Sequence, residues 1–501
     1  MPPPRPSTLG APPPTSRSKL RVEGELGWLR RVLVCSPGEE LRRVPPGERD
    51  RYLVEDLLWL ERAQEQHAAF VRALTLLMRA APRVKGAPEP RVVDLRAELR
   101  LALQDPAASD AAGALLEEVC HLEPHLRGAA IDEVLAALRA DLAAGKGDLG
   151  DDLIAGVLEP RLAPGSEMFR VCPSPNIVFA RDYQFVLGGG AFVSSMAKAV
   201  RWKEPAIARV LFDHALGLGA VSFDVRRAAL GTRARRLLET APGELLVEGG
   251  DVMALDRSTV LVGLSERTTL RGATALALGL RWLRQQYPDD FPFTELCAVQ
   301  MPPRRAMMHL DTVFTLVDRG LALAYPPLTF PNAREEMAVL SCDLACDPEA
   351  PLDFRPAGPF SEAMARRLSL PGRPLTLVAG GGRHRTFQHR EQWCDACNAF
   401  AVGPGVAISY DRNDRTLAAL AALDGGADTL VVTPGQRRTP AAHLRPFQVI
   451  HASDLTLPRA RAMVGSGERV MVTIDGGELG RARGGPHCMT MALHREADAT
   501  A

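Results

Sequence analysis

The sequence predicts an α/β fold built from repeated ββαβ-like modules and interrupted by an α-helical insertion. Two observations carry this. From Phe169 onward, short Val/Ile/Leu runs recur between glycines and prolines, as in YQFVLGGGAFVS, TVLVGL and FAVGPGVAISY, and stretches of helical spacing alternate with them. Residues 92–165 are instead rich in Ala, Leu, Asp and Glu, with few β-branched residues, which predicts three or four short helices. Strand pairs followed by a helix, repeated several times, fit modular repeats better than one doubly wound sheet.

The elements follow in order. The first twenty residues hold seven prolines and no apolar stretch, so residues 1–20 read as a disordered Pro-rich tail rather than a signal peptide. Residues 26–38 read as a strand closed by Pro37-Gly38. Between 50 and 82, Leu53, Leu57, Leu58, Leu60, Ala63, His67, Phe70, Leu74 and Leu77 fall at helical spacing and predict an amphipathic helix. After the helical segment, NIVFARD, ELLVEGGDVMAL, HLDTVFTLVD, LTLVAGGG and RVMVTID read as strands, with helices over 204–218, 270–287, 361–369 and 416–423. The glycines at 188–190 lie between two strand-like runs, which makes them a hairpin turn rather than a phosphate cradle.

Bulk properties exclude several classes. The 501 residues carry 60 Lys+Arg and 60 Asp+Glu, so no basic excess argues for nucleic acid. No window approaches the roughly 18 uninterrupted apolar residues of a membrane span. Nine scattered cysteines do not describe a disulfide framework, and a reducing, cytoplasmic setting is expected. The sequence leaves the oligomeric state open, a homo-oligomer included.

Chemistry concentrates at a few places. Cys488 ends a run of glycine, arginine, proline and histidine, Gly477 to His487. Flanking arginines would favour its thiolate, the attacking form. His309 and Asp311 stand two apart ahead of a Val-Phe-Thr-Leu-Val run, and on a strand they would share one face. Glu248 sits between an apolar run and Gly249-Gly250, and paired glycines mark a bulge or a close backbone approach; an exposed hairpin turn is the alternative. Arg181-Asp182 closes NIVFARD, either as a surface ion pair or with the carboxylate at a ligand site. Arg201 and Arg267 could each fork onto a carboxylate, although lone arginines are usually surface residues. Cys342-x3-Cys346 and Cys394-x2-Cys397 form a competing constellation, with spacing that could hold a structural zinc.

In order, Asn176-x-x-Phe179-x-Arg181-Asp182, Glu248-Gly-Gly-Asp251, Met308-His-Leu-Asp-Thr-Val-Phe314 and Gly484-Gly-Pro-His-Cys-Met489 resemble arginine deiminase, in the guanidine-modifying (pentein) superfamily. The likeness extends to residues 29–41, 265–268, 390–393 and 410–413, and so covers nearly everything from 20 to 490. It implies a five-fold pseudo-symmetric propeller of ββαβ units over 21–501, with 92–165 as a helical insertion. It also implies hydrolysis of L-arginine to L-citrulline and ammonia through a covalent thiouronium, with neither metal nor organic cofactor. By the same likeness Cys488 is the nucleophile, His309 the acid/base and Glu248 its supporting carboxylate. Asp182 and Asp311 would grip the guanidinium. Asn176, Arg201 and Arg267 would hold the α-carboxylate, Phe179 would line the alkyl channel, and Arg483 would contact substrate. Ala482, Ala180 and the Cys394-Asp-Ala-Cys397 segment depart from the usual pattern. The alternatives are an amidinotransferase, a methylarginine hydrolase, or a non-catalytic arginine binder.

Overall fold

The computed structural model describes residues 20–104, 109–123, 125–126, 128–143, 149–158, 169–216, 222–224, 244–347, 350–423, 430–433 and 445–497. The predicted Pro-rich tail falls almost wholly outside them. Within them the chain is a mixed α/β fold of several small sheets.

One connectivity recurs in five of these sheets: an antiparallel hairpin, an excursion, and a third strand parallel to the second. Gln184–Leu187 and Gly190–Val193 pair antiparallel, and Ser222–Asp224 joins in parallel. Val252–Ala254, Thr259–Leu264 and Glu295–Gln300 repeat the pattern, as do Phe314–Asp318, Leu321–Ala324 and Thr376–Ala379. Phe400–Gly403, Val406–Tyr410 and Arg469–Ile474 form the fourth set. The fifth is stitched from the two ends of the chain: Met491–Arg495 pairs antiparallel with Leu29–Val34, which Arg91–Asp94 joins in parallel.

Local physics explains most of these pieces. Gly188 takes φ +56° in the turn between the first two strands, a left-handed geometry that favours glycine, so the expected hairpin forms. Helix Leu270–Gln286 starts where the Thr269 hydroxyl accepts a hydrogen bond from Gly272 N–H, an N-cap contributing about 1 kcal/mol. Helix Leu60–Ala80 buries Ala63, Phe70, Leu74 and Leu77, each large side chain contributing roughly 1.5–3 kcal/mol.

Several sequence expectations need correction. The helix expected over 50–82 begins only at Leu60. Leu53 adopts φ +61°, and Glu55 and Asp56 are drawn to Arg305 and Arg481, so tertiary ion pairs hold 53–59 in a non-helical path. The segment opening the helical region is a strand, Arg91–Asp94, because Leu29–Val34 offers it a parallel edge. Among the described residues four helices do follow: Leu95–Gln104, Ser109–Leu122, Ala129–Ala143 and Leu149–Ala155. NIVFARD is not a strand: Pro175–Val178 is a 3-10 turn. Helices Arg385–Trp393 and Leu457–Gly465 were not anticipated. Among the described residues, no helix is long and apolar enough to cross a membrane.

Candidate active site

The segments that lead into the first strand of each set converge. Asp182 precedes Gln184–Leu187, Glu248 precedes Val252–Ala254, and His309 and Asp311 precede Phe314–Asp318. Asn398 precedes Phe400–Gly403, and Cys488 precedes Met491–Arg495. All six are buried.

Cys488 Sγ lies 3.6 Å from Asp311 Oδ2. His309 Nε2 meets Glu248 Oε2 at 2.9 Å, and its Nδ1 faces Asp182 Oδ1 at 3.5 Å. That nitrogen and that oxygen are both buried without a hydrogen-bond partner. An arrangement that leaves such atoms unmatched in a closed interior is costly unless a ligand completes it.

His309 and Asp311 do not share a strand face, as the sequence reading had them. His309 is extended and Asp311 sits in the 3-10 turn Leu310–Thr312, three residues before the strand begins at Phe314. The turn sends the imidazole to Glu248 and the carboxylate to the thiol. Asp251 fixes this turn, accepting from Leu310 N–H at 2.9 Å and from the Ser265 hydroxyl at 2.7 Å.

The close-approach reading of Gly249-Gly250 is the one the structure takes. A Cβ on Gly250 would meet His309 Nδ1 at 2.5 Å. Gly250→Ala is therefore expected to displace the imidazole and lower kcat by on the order of 10²-fold with the fold intact. Steady-state kinetics alongside a thermal melt check this.

Burial, then the carboxylates of Asp311, Asp182 and Asp395, push the Cys488 thiol well above its ordinary pKa. The expectation that flanking arginines stabilise its thiolate is overturned. Arg481 pairs with Asp56 at 3.1 Å. Arg483, at φ +66°, stacks 3.8 Å from the Trp393 ring and donates to the Trp393 and Ala306 carbonyls. Burial opposes charge on His309, but Asp182, the hydrogen bond with Glu248, and Asp251 raise its pKa to about 9. Burial likewise opposes the Glu248 carboxylate, yet Arg267 and His309 hold its pKa at about 2.

The remaining predicted residues surround this centre. Arg201 binds Asp182 Oδ2 at 2.6 Å and Glu204 at 2.8 Å, and donates to the Asn176 carbonyl at 3.2 Å. The Asn176 amide donates to the Tyr52 carbonyl at 2.7 Å. Arg267 reaches Glu248 at 3.4 Å and Glu266 at 2.9 Å. The Phe179 ring occupies the space a side chain on Gly484 would need. Arg181 and Asp182 are no surface pair: both are buried, and Arg181 turns away to the His487 and Thr490 carbonyls.

Sequence reasoning missed three contributors. Asn398 Oδ1 accepts from Cys488 N–H at 3.0 Å, while its amide donates to the Asp311 carbonyl at 3.2 Å, so it ties the backbones of Cys488 and Asp311 together. His487 bridges Asp311 at 2.9 Å and Glu25 at 3.3 Å. Glu25 lies far away in sequence, and no local signal points to it. The only signal for Asn398 was its place after Cys394-Asp-Ala-Cys397, a segment weighed for zinc. Among the described residues those cysteines do not gather with Cys342 and Cys346 into one ligand set; Cys342 lies instead by Arg281.

Comparison with known proteins covers these same segments. The arginine deiminase family model matches residues 158–495. The arginine deiminase of Rhodococcus opacus is 30% identical over 489 residues, covering 95% of this chain and 98% of that one. That of Mycobacterium marinum is 31% identical over 495 residues, with 95% and 98% covered. Among solved structures, SxtG, an amidinotransferase from Microseira wollei, is 14% identical with a TM-score of 0.44, covering 96% of this chain and 99% of that one. A match that runs through every segment from Asp182 to Cys488, with relatives alike over nearly the full length, makes this chain a member of the arginine deiminase family.

Proposed function

We propose that the protein hydrolyses L-arginine to L-citrulline and ammonia, with Cys488 as nucleophile. The observation that carries this is a buried thiol 3.6 Å from one carboxylate, beside a second whose free oxygen faces an imidazole at 3.5 Å. Carboxylates disfavour a thiolate, so the site is inert until a cation enters; a guanidinium is that cation. Asp182 and Asp311 accept its N–H groups and hold its central carbon against sulfur. The thiol proton is lost to solvent and the Sγ–C bond forms. His309 gives its proton to the departing nitrogen, the C–N bond breaks and ammonia leaves. The neutral imidazole then takes a proton from water, which attacks the thiouronium, releasing citrulline and the thiol.

Arg201 stands on Asp182 in the resting site. On this reading the substrate guanidinium takes over Asp182, and Arg201 with Arg267 and Asn176 receives the α-carboxylate, Phe179 flanking the alkyl chain. Arg483 would support the loop that carries Cys488 and touch substrate. Five sheets of one connectivity, each offering a residue to the site just ahead of its first strand, support a five-fold pseudo-symmetric propeller over 21–501, with the helices of 92–165 as an insertion. Nine free thiols accord with a cytoplasmic location.

The test is a citrulline assay on L-arginine, agmatine and methylarginine in parallel, without added metal. Arginine is expected to turn over. Agmatine, which lacks the carboxylate, is expected to be slower by on the order of 10⁴-fold in kcat/KM. A folded protein that makes no citrulline anywhere between roughly pH 5 and 8 sinks the reading. Equal rates for arginine and agmatine would remove the carboxylate role from Arg201 and Arg267.

A further inference from the structure

We propose that Glu123, His125 and Cys172 form a binding site for a thiophilic divalent cation, zinc being the ion that fits, where the helical segment meets the catalytic body. Glu123 and His125 follow helix Ser109–Leu122, and Cys172 follows strand Phe169–Val171. One ligand atom from each residue lies within 4.8 Å of the others. His125 Nδ1 is 3.7 Å from Cys172 Sγ and 3.6 Å from Glu123 Oε2. With Zn–S near 2.3 Å and Zn–N or Zn–O near 2.0–2.1 Å, tetrahedral angles give edges of about 3.6 and 3.4 Å. The observed separations differ from these by only about 0.1 and 0.2 Å.

The His125 side chain is 10% exposed, and its Nε2 is buried without a hydrogen-bond partner. Nδ1, by contrast, is turned toward Cys172 Sγ and Glu123 Oε2, the two other ligand atoms. One sulfur, one nitrogen and one oxygen suit zinc or cobalt rather than magnesium or calcium, which take oxygen sets. Glu123 and Cys172 also line a cavity of about 250 Å³, which leaves room for water as the fourth ligand.

Three cationic residues line that cavity, Arg51, Lys198 and Lys203, and two of them contact the ligands directly. Lys203 Nζ sits 3.1 Å from Glu123 Oε1 and donates to the Cys172 carbonyl; Arg51 Nη2 is 3.8 Å from Cys172 Sγ. They fix the ligands in place but oppose added positive charge. Binding must therefore release the thiol proton to solvent, so that the thiolate offsets part of the ion's charge while Glu123 is shared between the ion and Lys203. The result is a structural site of modest affinity, independent of the reaction at Cys488.

The experiment is a cobalt(II) titration of the full chain carrying Cys488→Ala, which removes the other buried thiol placed for chemistry. A thiolate-to-cobalt charge-transfer band saturating at one equivalent is expected, displaced by zinc. Adding Cys172→Ser is expected to abolish the band, and His125→Gln to raise the cobalt needed about tenfold or more. Absence of the band, or a titration unchanged by His125→Gln, overturns the proposal. His125→Gln sits at the partly exposed member of the set and decides the matter even where Cys172→Ser does not fold.

Discussion

Cys488→Ala is expected to lower citrulline formation by at least roughly 10⁴-fold while arginine still binds. The size follows from removing the atom that forms the covalent intermediate, since losing a nucleophile costs nearly the whole of the chemical catalysis. Binding survives because Asp182, Asp311 and the arginines are untouched. Stopped-flow or calorimetric binding of arginine to the variant, beside a discontinuous citrulline assay, separates the two. A variant with a tenth of normal turnover would assign the attack to another group.

The second large effect belongs to His309. His309→Ala is expected to reduce kcat by about 10²–10⁴-fold, the usual worth of a positioned acid/base. The pH profile carries the more specific signature. Because the imidazole is held protonated up to about 9, the wild-type profile should keep its acid-dependent step to the alkaline side of neutrality and fall as pH rises through about 9. Glu248→Gln removes a hydrogen-bonded charge from the imidazole, so that limb should move toward lower pH. A purely structural glutamate would lower activity without moving it. Stability follows the same linkage. His309, raised from 6.5 to about 9, contributes stability that is complete below about 6.5 and lost as pH rises through about 9. Glu248, lowered from 4.5 to about 2, contributes stability present above about 4.5 and lost as pH falls through about 2. Equilibrium denaturation across that range measures both.

These expectations rest on one electrostatic fact. The thiol faces carboxylates, not arginines, so its reactivity is tied to the substrate's charge. The motif around Cys488, read alone, gave the opposite sign. Arg481 and Arg483 stand a few residues ahead of Cys488, but their guanidiniums are engaged elsewhere: the exposed Arg481 by Asp56, and the buried Arg483 by the Trp393 ring.

By itself the sequence determined the elements whose pattern is local: the buried strand Thr259–Leu264, the amphipathic faces of Leu60–Ala80 and Leu270–Gln286, and the glycine hairpin at 188–190. The order of short motifs also named Cys488, His309, Glu248, Asp182 and Asp311 before any coordinates did. Only the tertiary structure decided what those side chains face. A parallel edge offered by Leu29–Val34 made a strand of Arg91–Asp94. Ion pairs across more than 200 residues, Arg305 to Glu55 and Arg481 to Asp56, kept 53–59 out of a helix, and Glu25 reached His487 from the other end of the chain. Propensity and periodicity act over a few residues. Charge pairing and burial act over distances that only folding brings within a few ångströms.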